Sequence, residues 1–239
     1  MKIQKNTLYQ VSLLNALMQG DYDATLPWSD ACPSTDIGLG TCQGLGGEMI
    51  LLDSKAYLAQ NDGSVIPLPK EEPVAFCTFA GLEENLPSRP CQNIQSFAQL
   101  KTLLDEAISQ NPNICYGVKL KGKFRSVLVR SVGRQEKPYP PLTEVAKHQN
   151  TFTYQNLTGT LVGFWVPAYL GQLNLPSWHL HFLSDDTTKG GHLLDCAVED
   201  AQLQIQPLYD LVVRLPHTPV FAGLDLNQNL LKEAHAIEG

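Results

Sequence analysis

The chain contains no run of 18 apolar residues, so nothing in it reads as a helix that spans a bilayer. It has no basic excess either. Lys and Arg number 17 against 24 Asp and Glu, and the net charge of −7 argues against a general attraction to nucleic acid or to an anionic membrane surface. C-x-x-C pairs are absent among the six cysteines, Cys32, Cys42, Cys77, Cys91, Cys115 and Cys196. That absence argues against a structural zinc knuckle. No apolar segment follows the basic residues of Met1–Leu8, so a secretory signal is not expected. The expectation is a cytoplasmic protein without a disulfide framework. Cys77, Cys115 and Cys196 lie in apolar runs and are expected to be buried as small hydrophobes. There is no repeat of fixed short period and no low-complexity tract.

What remains is an ordinary globular composition of 239 residues, 43% hydrophobic and 17% charged, enough for one large domain or two small ones. Apolar spacing predicts a helix over 8–18, ending before Gly20, and a second over 97–108 with Ser96 as its N-cap. Strands are predicted at 48–52, 55–60, 73–80, 160–166, 201–205 and 210–215. Residues 114–120 and 124–132 read as a hairpin about Lys121-Gly122-Lys123. A short helix is expected at 142–148 and an amphipathic one at 224–235. The Pro-rich run 136–141 is the best boundary, dividing the chain into 1–137 and a metal-binding 138–239. Strands dominate over a few flanking helices, which predicts an α/β (α+β mixed) protein of two subdomains built on mixed β-sheets.

The richest chemistry lies in one 14-residue window that holds three of the six histidines: His179-Leu-His181, then Gly190-Gly191-His192. Residues two apart on a strand share a face, so His179 and His181 can converge on one ion. The centre of the intervening segment is turn chemistry, and 192–198 reads as a returning strand. An antiparallel hairpin would set His192 beside the pair, within roughly 4.5–5.5 Å at Cβ. A lone histidine on an apolar strand is more often a satisfied core residue. Three across one hairpin point instead to a metal, and three neutral imidazoles with an open position are a common catalytic zinc arrangement. Such donors would also accept Mn, Fe, Co or Ni.

The run Gly159-Thr160-Leu161-Val162-Gly163-Phe164-Trp165, then Trp178-His179-Leu180-His181-Phe182 and Gly190-Gly191-His192, resembles the bacterial acetolactate decarboxylases. So do Gly38-Leu39-Gly40-Thr41 leading to Gly47-Glu48, Arg130, and Gln135-Glu136-Lys137-Pro138-Tyr139. The motifs run in order over nearly the whole chain. The resemblance implies conversion of 2-acetolactate to (R)-acetoin and carbon dioxide by a homodimer. Zinc would act as Lewis-acid electron sink, and an enediolate would be protonated on one face. It implies His179, His181 and His192 as metal ligands, with Glu48, Arg130 and Glu238 as catalytic groups. The last rests on the short tail Ile237-Glu238-Gly239. Two other readings stay open on the residues alone. One is a cupin-like metal-dependent dioxygenase, which also uses His-x-His on a strand but sets a glutamate about four residues on, where this chain has Asp185. The other is a non-catalytic metal- or small-ligand-binding module.

Overall fold

The computed structural model describes residues 3–24, 26–32 and 35–238, the side chain of Glu238 excepted. Strand β1 (Thr7–Val11) opens the chain and is followed by a short helix α1 (Leu14–Met18). Next come β2 (Leu26–Pro27), α2 (Trp28–Ala31), β3 (Ile37–Cys42), β4 (Glu48–Leu52), β5 (Lys55–Ala59), β6 (Val65–Pro67), β7 (Pro73–Ala80) and β8 (Ser88–Ile94). Helix α3 (Phe97–Ile108) leads to β9 (Cys115–Ser131), α4 (Leu142–Val145) and β10 (Asn150–Val166). The chain ends with β11 (Ser177–Ser184), β12 (Gly190–Leu208), β13 (Asp210–Arg214), α5 (Pro219–Ala222) and α6 (Leu231–Glu238).

One sheet has the order β13-β1-β7-β3-β4-β5-β6, with β2 also paired to β7. It is mixed, because β13 runs parallel to β1 while the other pairs are antiparallel. The second sheet has the order β11-β10-β9-β12-β8 and is antiparallel throughout. Strand β11 also pairs with β12, so β9, β10, β11 and β12 close on themselves at one end. The α/β class with mixed sheets and few helices is the one expected. The sheets do not part near residue 137, however. β8 and β9 join the strands of 150–208, and β13 returns to the first sheet.

Helix α3 forms where its apolar spacing placed it. Ser96 accepts the Gln99 amide at 3.2 Å, and Phe97, Leu100, Leu104 and Ile108 are buried against the second sheet. Leu8, Ile37, Leu39 and Ile50 meet Val162, Phe164 and Leu183 between the sheets.

Three local expectations are corrected. Residues 7–11 are a strand and only 14–18 are helical, because every residue of β1 is buried between β13 and β7. Lys121-Gly122-Lys123 is no turn but the middle of β9, a single 17-residue strand. There the sheet needs a missing side chain, since a Cβ on Gly122 would strike the Asp200 carbonyl and Ala201. The helix expected over 224–235 is helical only from 231, within α6, while 223–230 is non-helical and α5 lies before it. All six cysteines are free and buried. Among the described residues no helix is long and apolar enough to cross a membrane.

Candidate metal and catalytic site

The turn of the histidine hairpin is held by Asp186. Its Oδ1 accepts the Ser184 hydroxyl at 2.6 Å, the Thr188 hydroxyl at 2.8 Å and the Thr188 amide at 3.1 Å. These bonds push its carboxyl down to about 2. The register that follows sets His181 directly opposite His192, and His192 directly opposite Arg130 on β9. Three strands thus contribute consecutive members of one row. His179, two residues before His181, turns to the same side. The three imidazoles offer ligand atoms within 4.8 Å of one another, and His179 Nε2 lies 3.0 Å from His192 Nδ1.

The first sheet supplies the opposite wall. His181 Nδ1 lies 2.9 Å from the Met49 carbonyl on β4. A carbonyl only accepts, so Nδ1 carries the proton and Nε2 keeps its lone pair. Burial, then the His179 and Arg130 charges, hold His181 well below the usual imidazole range, against the opposing pull of the Met49 bond. Its Nε2 is buried with no hydrogen-bond partner among the described residues. A neutral, fully buried nitrogen with its lone pair turned toward two more imidazoles fits a borderline divalent cation. The donor set therefore suits the metal that the resemblance implies.

Glu48, the first residue of β4, brings a carboxylate to this point. Its Oε2 is 3.5 Å from His181 Nε2, and its Oε1 is 3.4 Å from Arg130 Nη1. Glu48 and Arg130 are 8% and 3% exposed, so the pair has little competing water. Thr41 steadies the approach to β4 by donating to the Gly47 carbonyl at 2.8 Å. Above these groups a cavity is lined by Leu14, Leu17, Thr41, Leu45, Glu48, Phe76, Arg130, Leu142, Asn174, Leu175, His179 and His181. Ile237 of α6 packs against the same apolar cluster. Glu238 ends that helix, and its side chain lies outside the described residues.

Five of the six residues singled out from sequence therefore meet at one place. Nothing in the local pattern marks the Met49 carbonyl, the apolar walls from α1 and α4, or Asn174, because each arrives from a distant segment. Asp185, which stands where a cupin would set its glutamate, is exposed in the turn.

A mixed-sheet α/β protein in which three largely buried histidines that could hold a metal stand beside a carboxylate and a guanidinium has the make-up of a candidate metal-binding active site. Known proteins narrow the class. The family model of alpha-acetolactate decarboxylase matches residues 8–228. The alpha-acetolactate decarboxylase of Brevibacillus brevis is 40% identical over 234 residues, covering 98% of this chain and 81% of that protein. The Methanosarcina mazei enzyme of the same name is 38% identical over 235 residues, covering 98% and 80%. The crystal structure of alpha-acetolactate decarboxylase from Bacillus subtilis strain 168 superposes with a TM-score of 0.92 at 30% identity, over 98% of this chain and 99% of that one. The chain belongs to the alpha-acetolactate decarboxylase family and is an enzyme of the carboxy-lyase class. Membership leaves the cupin alternative without support.

Proposed function

We propose that this chain converts 2-acetolactate to (R)-acetoin and carbon dioxide, with a divalent ion, zinc, at His179, His181 and His192. The observation that carries the reading is the meeting of three imidazoles with a carboxylate and a guanidinium at one cavity, in a chain of this family. When bound, the ion would polarise the substrate ketone as a Lewis acid, making it a sink for the electron pair released on cleavage.

The chain's own residues would do the rest. Arg130 would hold the substrate carboxylate, since a guanidinium binds that group in a fixed fork. The bond from the carboxylate carbon to its neighbour then breaks. Carbon dioxide leaves, and the bonding pair moves onto the adjoining carbonyl to give an enediolate. The carbon that lost the carboxylate must gain one proton, drawn in the end from solvent. Glu48 would take up the hydroxyl proton during cleavage and pass it to that carbon, and a proton from solvent would then restore the hydroxyl of the product. Glu238 would be a second acidic group at the end of α6. Delivery to one face yields one enantiomer. The apolar walls Leu14, Leu17, Phe76, Leu142 and Leu175 would exclude water and receive the two methyl groups.

The same reading makes the protein a homodimer. In its favour, β13 is an edge strand of the first sheet, with Tyr209 exposed just before it, Leu211 and Val212 along it, and Leu215 and Val220 after it.

The decisive experiment adds racemic 2-acetolactate to purified protein and follows acetoin by chiral chromatography. Production of the (R) form is expected, with loss on chelation and recovery on adding Zn2+. His179→Ala, His181→Ala and His192→Ala are each expected to lose metal and turnover together. Full metal content in all three would end the assignment of the ligands.

A further inference from the structure

Asn174 is a polar residue in a cavity wall that is otherwise largely apolar, yet it is only 3% exposed. Its side chain is saturated by the protein. Nδ2 donates to Gln10 Oε1 at 2.7 Å and to Thr78 Oγ1 at 2.8 Å, and Oδ1 accepts the Leu175 amide at 2.7 Å. Gln10 is equally committed, because its Nε2 donates to the Ser12 carbonyl at 2.8 Å and to the Leu173 carbonyl at 2.7 Å. Neither amide can turn over without losing these bonds, so the orientation of both is determined by the network. Gln10 and Thr78 lie on β1 and β7 of the first sheet, while Asn174 lies in the segment that leads into β11 of the second.

That segment is gripped on a second side. The Leu14 amide donates to the Leu173 carbonyl at 2.8 Å and the Asn15 amide to the Gln172 carbonyl at 3.2 Å. Residues 172–175 are thus held between the first turn of α1 and the buried amide pair. Two results follow for the cavity. Leu175, whose own amide is tied to Asn174, is fixed in the wall that it shares with Leu14 and Leu17. His179, four residues on, leaves from an anchored point rather than a free loop. All of Asn174's donors are used within the protein, so it has none to offer a substrate and acts through what it holds in place.

We infer that Asn174 is a positioning residue that sets the width of the apolar wall at Leu175, and so the size of the substrate alkyl group that the cavity accepts. The inference rests on the reading of this cavity as the acetolactate site. The test uses Asn174→Ala and the gentler Thr78→Val, which removes one acceptor at nearly constant volume, with Thr78→Ser as the conservative control. Three quantities are measured on the full chain: hydrogen exchange of 171–176 by mass spectrometry, bound metal, and kcat/KM for 2-acetolactate and its homologue with a 2-ethyl group.

Exchange of 171–176 is expected to rise about 10- to 100-fold in Asn174→Ala, the effect of leaving buried amide partners unsatisfied. The ethyl-to-methyl ratio of kcat/KM is expected to rise at least about threefold as Leu175 recedes, a fraction of what one methylene can be worth in an apolar pocket. Metal content and the Thr78→Ser ratio are expected to stay at wild-type values. An unchanged ratio in folded Asn174→Ala and Thr78→Val overturns the inference, whether exchange is faster or not. If the wild-type protein leaves 2-acetolactate untouched, the functional reading falls instead, and slow exchange of 171–176 in Asn174→Ala would still count against the clamp.

Discussion

At the scale of single residues, the site depends on groups whose protonation is settled by their neighbours. His181 is buried, donates from Nδ1 to the Met49 carbonyl and so turns an unprotonated Nε2 toward the other imidazoles. Glu48 is held beside Arg130 and His181 at 3.4 and 3.5 Å. Glu48→Gln keeps the shape and removes the proposed proton acceptor. It is expected to lower kcat by about 10²–10⁴, the usual worth of a positioned acid or base, while bound metal stays near stoichiometric. Steady-state kinetics beside metal analysis separates the two. Asp186 gives a pH prediction. Its folded pKa of about 2 lies below the ordinary 3.8, so its contribution is fully present above about pH 4 and is lost as the pH falls toward 2. Urea melts of Asp186→Asn should show a flatter stability profile across that acid window and the same slope as wild type near neutrality.

At the scale of elements, the hairpin β11–β12 was legible in the sequence because its signals are local. Period-2 spacing put His179 and His181 on one side, and the Ser184–Lys189 stretch carries the polar residues that make the turn. Helix α3 was legible for the same reason. The misread elements were those where a neighbour decided. β1 carries apolar residues at helical spacing but is covered on both edges by strands, and Gly122 looked like a turn but answers to close approach of β12. Gly163 does similar work beneath the histidine trio, where a Cβ would collide with the His179 carbonyl across the β10–β11 pairing. Gly163→Ala is therefore expected to push β11 outward. We expect metal affinity to fall at least about tenfold, which corresponds to about 1.4 kcal/mol of lost ligand geometry. Competition with a chelator of known affinity measures it, and unchanged affinity would show that the strand yields without moving His179.

At the scale of the whole molecule, the site lies where two sheets meet. The second sheet brings the three imidazoles and Arg130, the first brings Glu48 and the Met49 carbonyl, and short helices close the cavity with leucine side chains. In the proposed homodimer, the open edge of β13, with its exposed apolar residues, would be where a second copy adds its own sheet. Light scattering after size exclusion is expected to give twice the 26.3 kDa chain mass, and Val212→Lys to shift the protein toward monomer with the site intact. A monomeric wild-type protein at micromolar concentration would remove the dimer from the reading.

Sequence alone determined the histidine trio, the turn that folds it back and the α/β class, because strand period, turn chemistry and helical spacing are properties of neighbouring residues. The resemblance added Glu48 and Arg130 as candidates but could not say that they touch. Only the tertiary structure decided that. Glu48 and Arg130 are 82 residues apart, and Met49 and His181 are 132 apart. Contacts over such separations depend on how one sheet packs on the other, through side chains such as Ile50, Val162 and Leu183 that carry no chemical signature of the site they assemble.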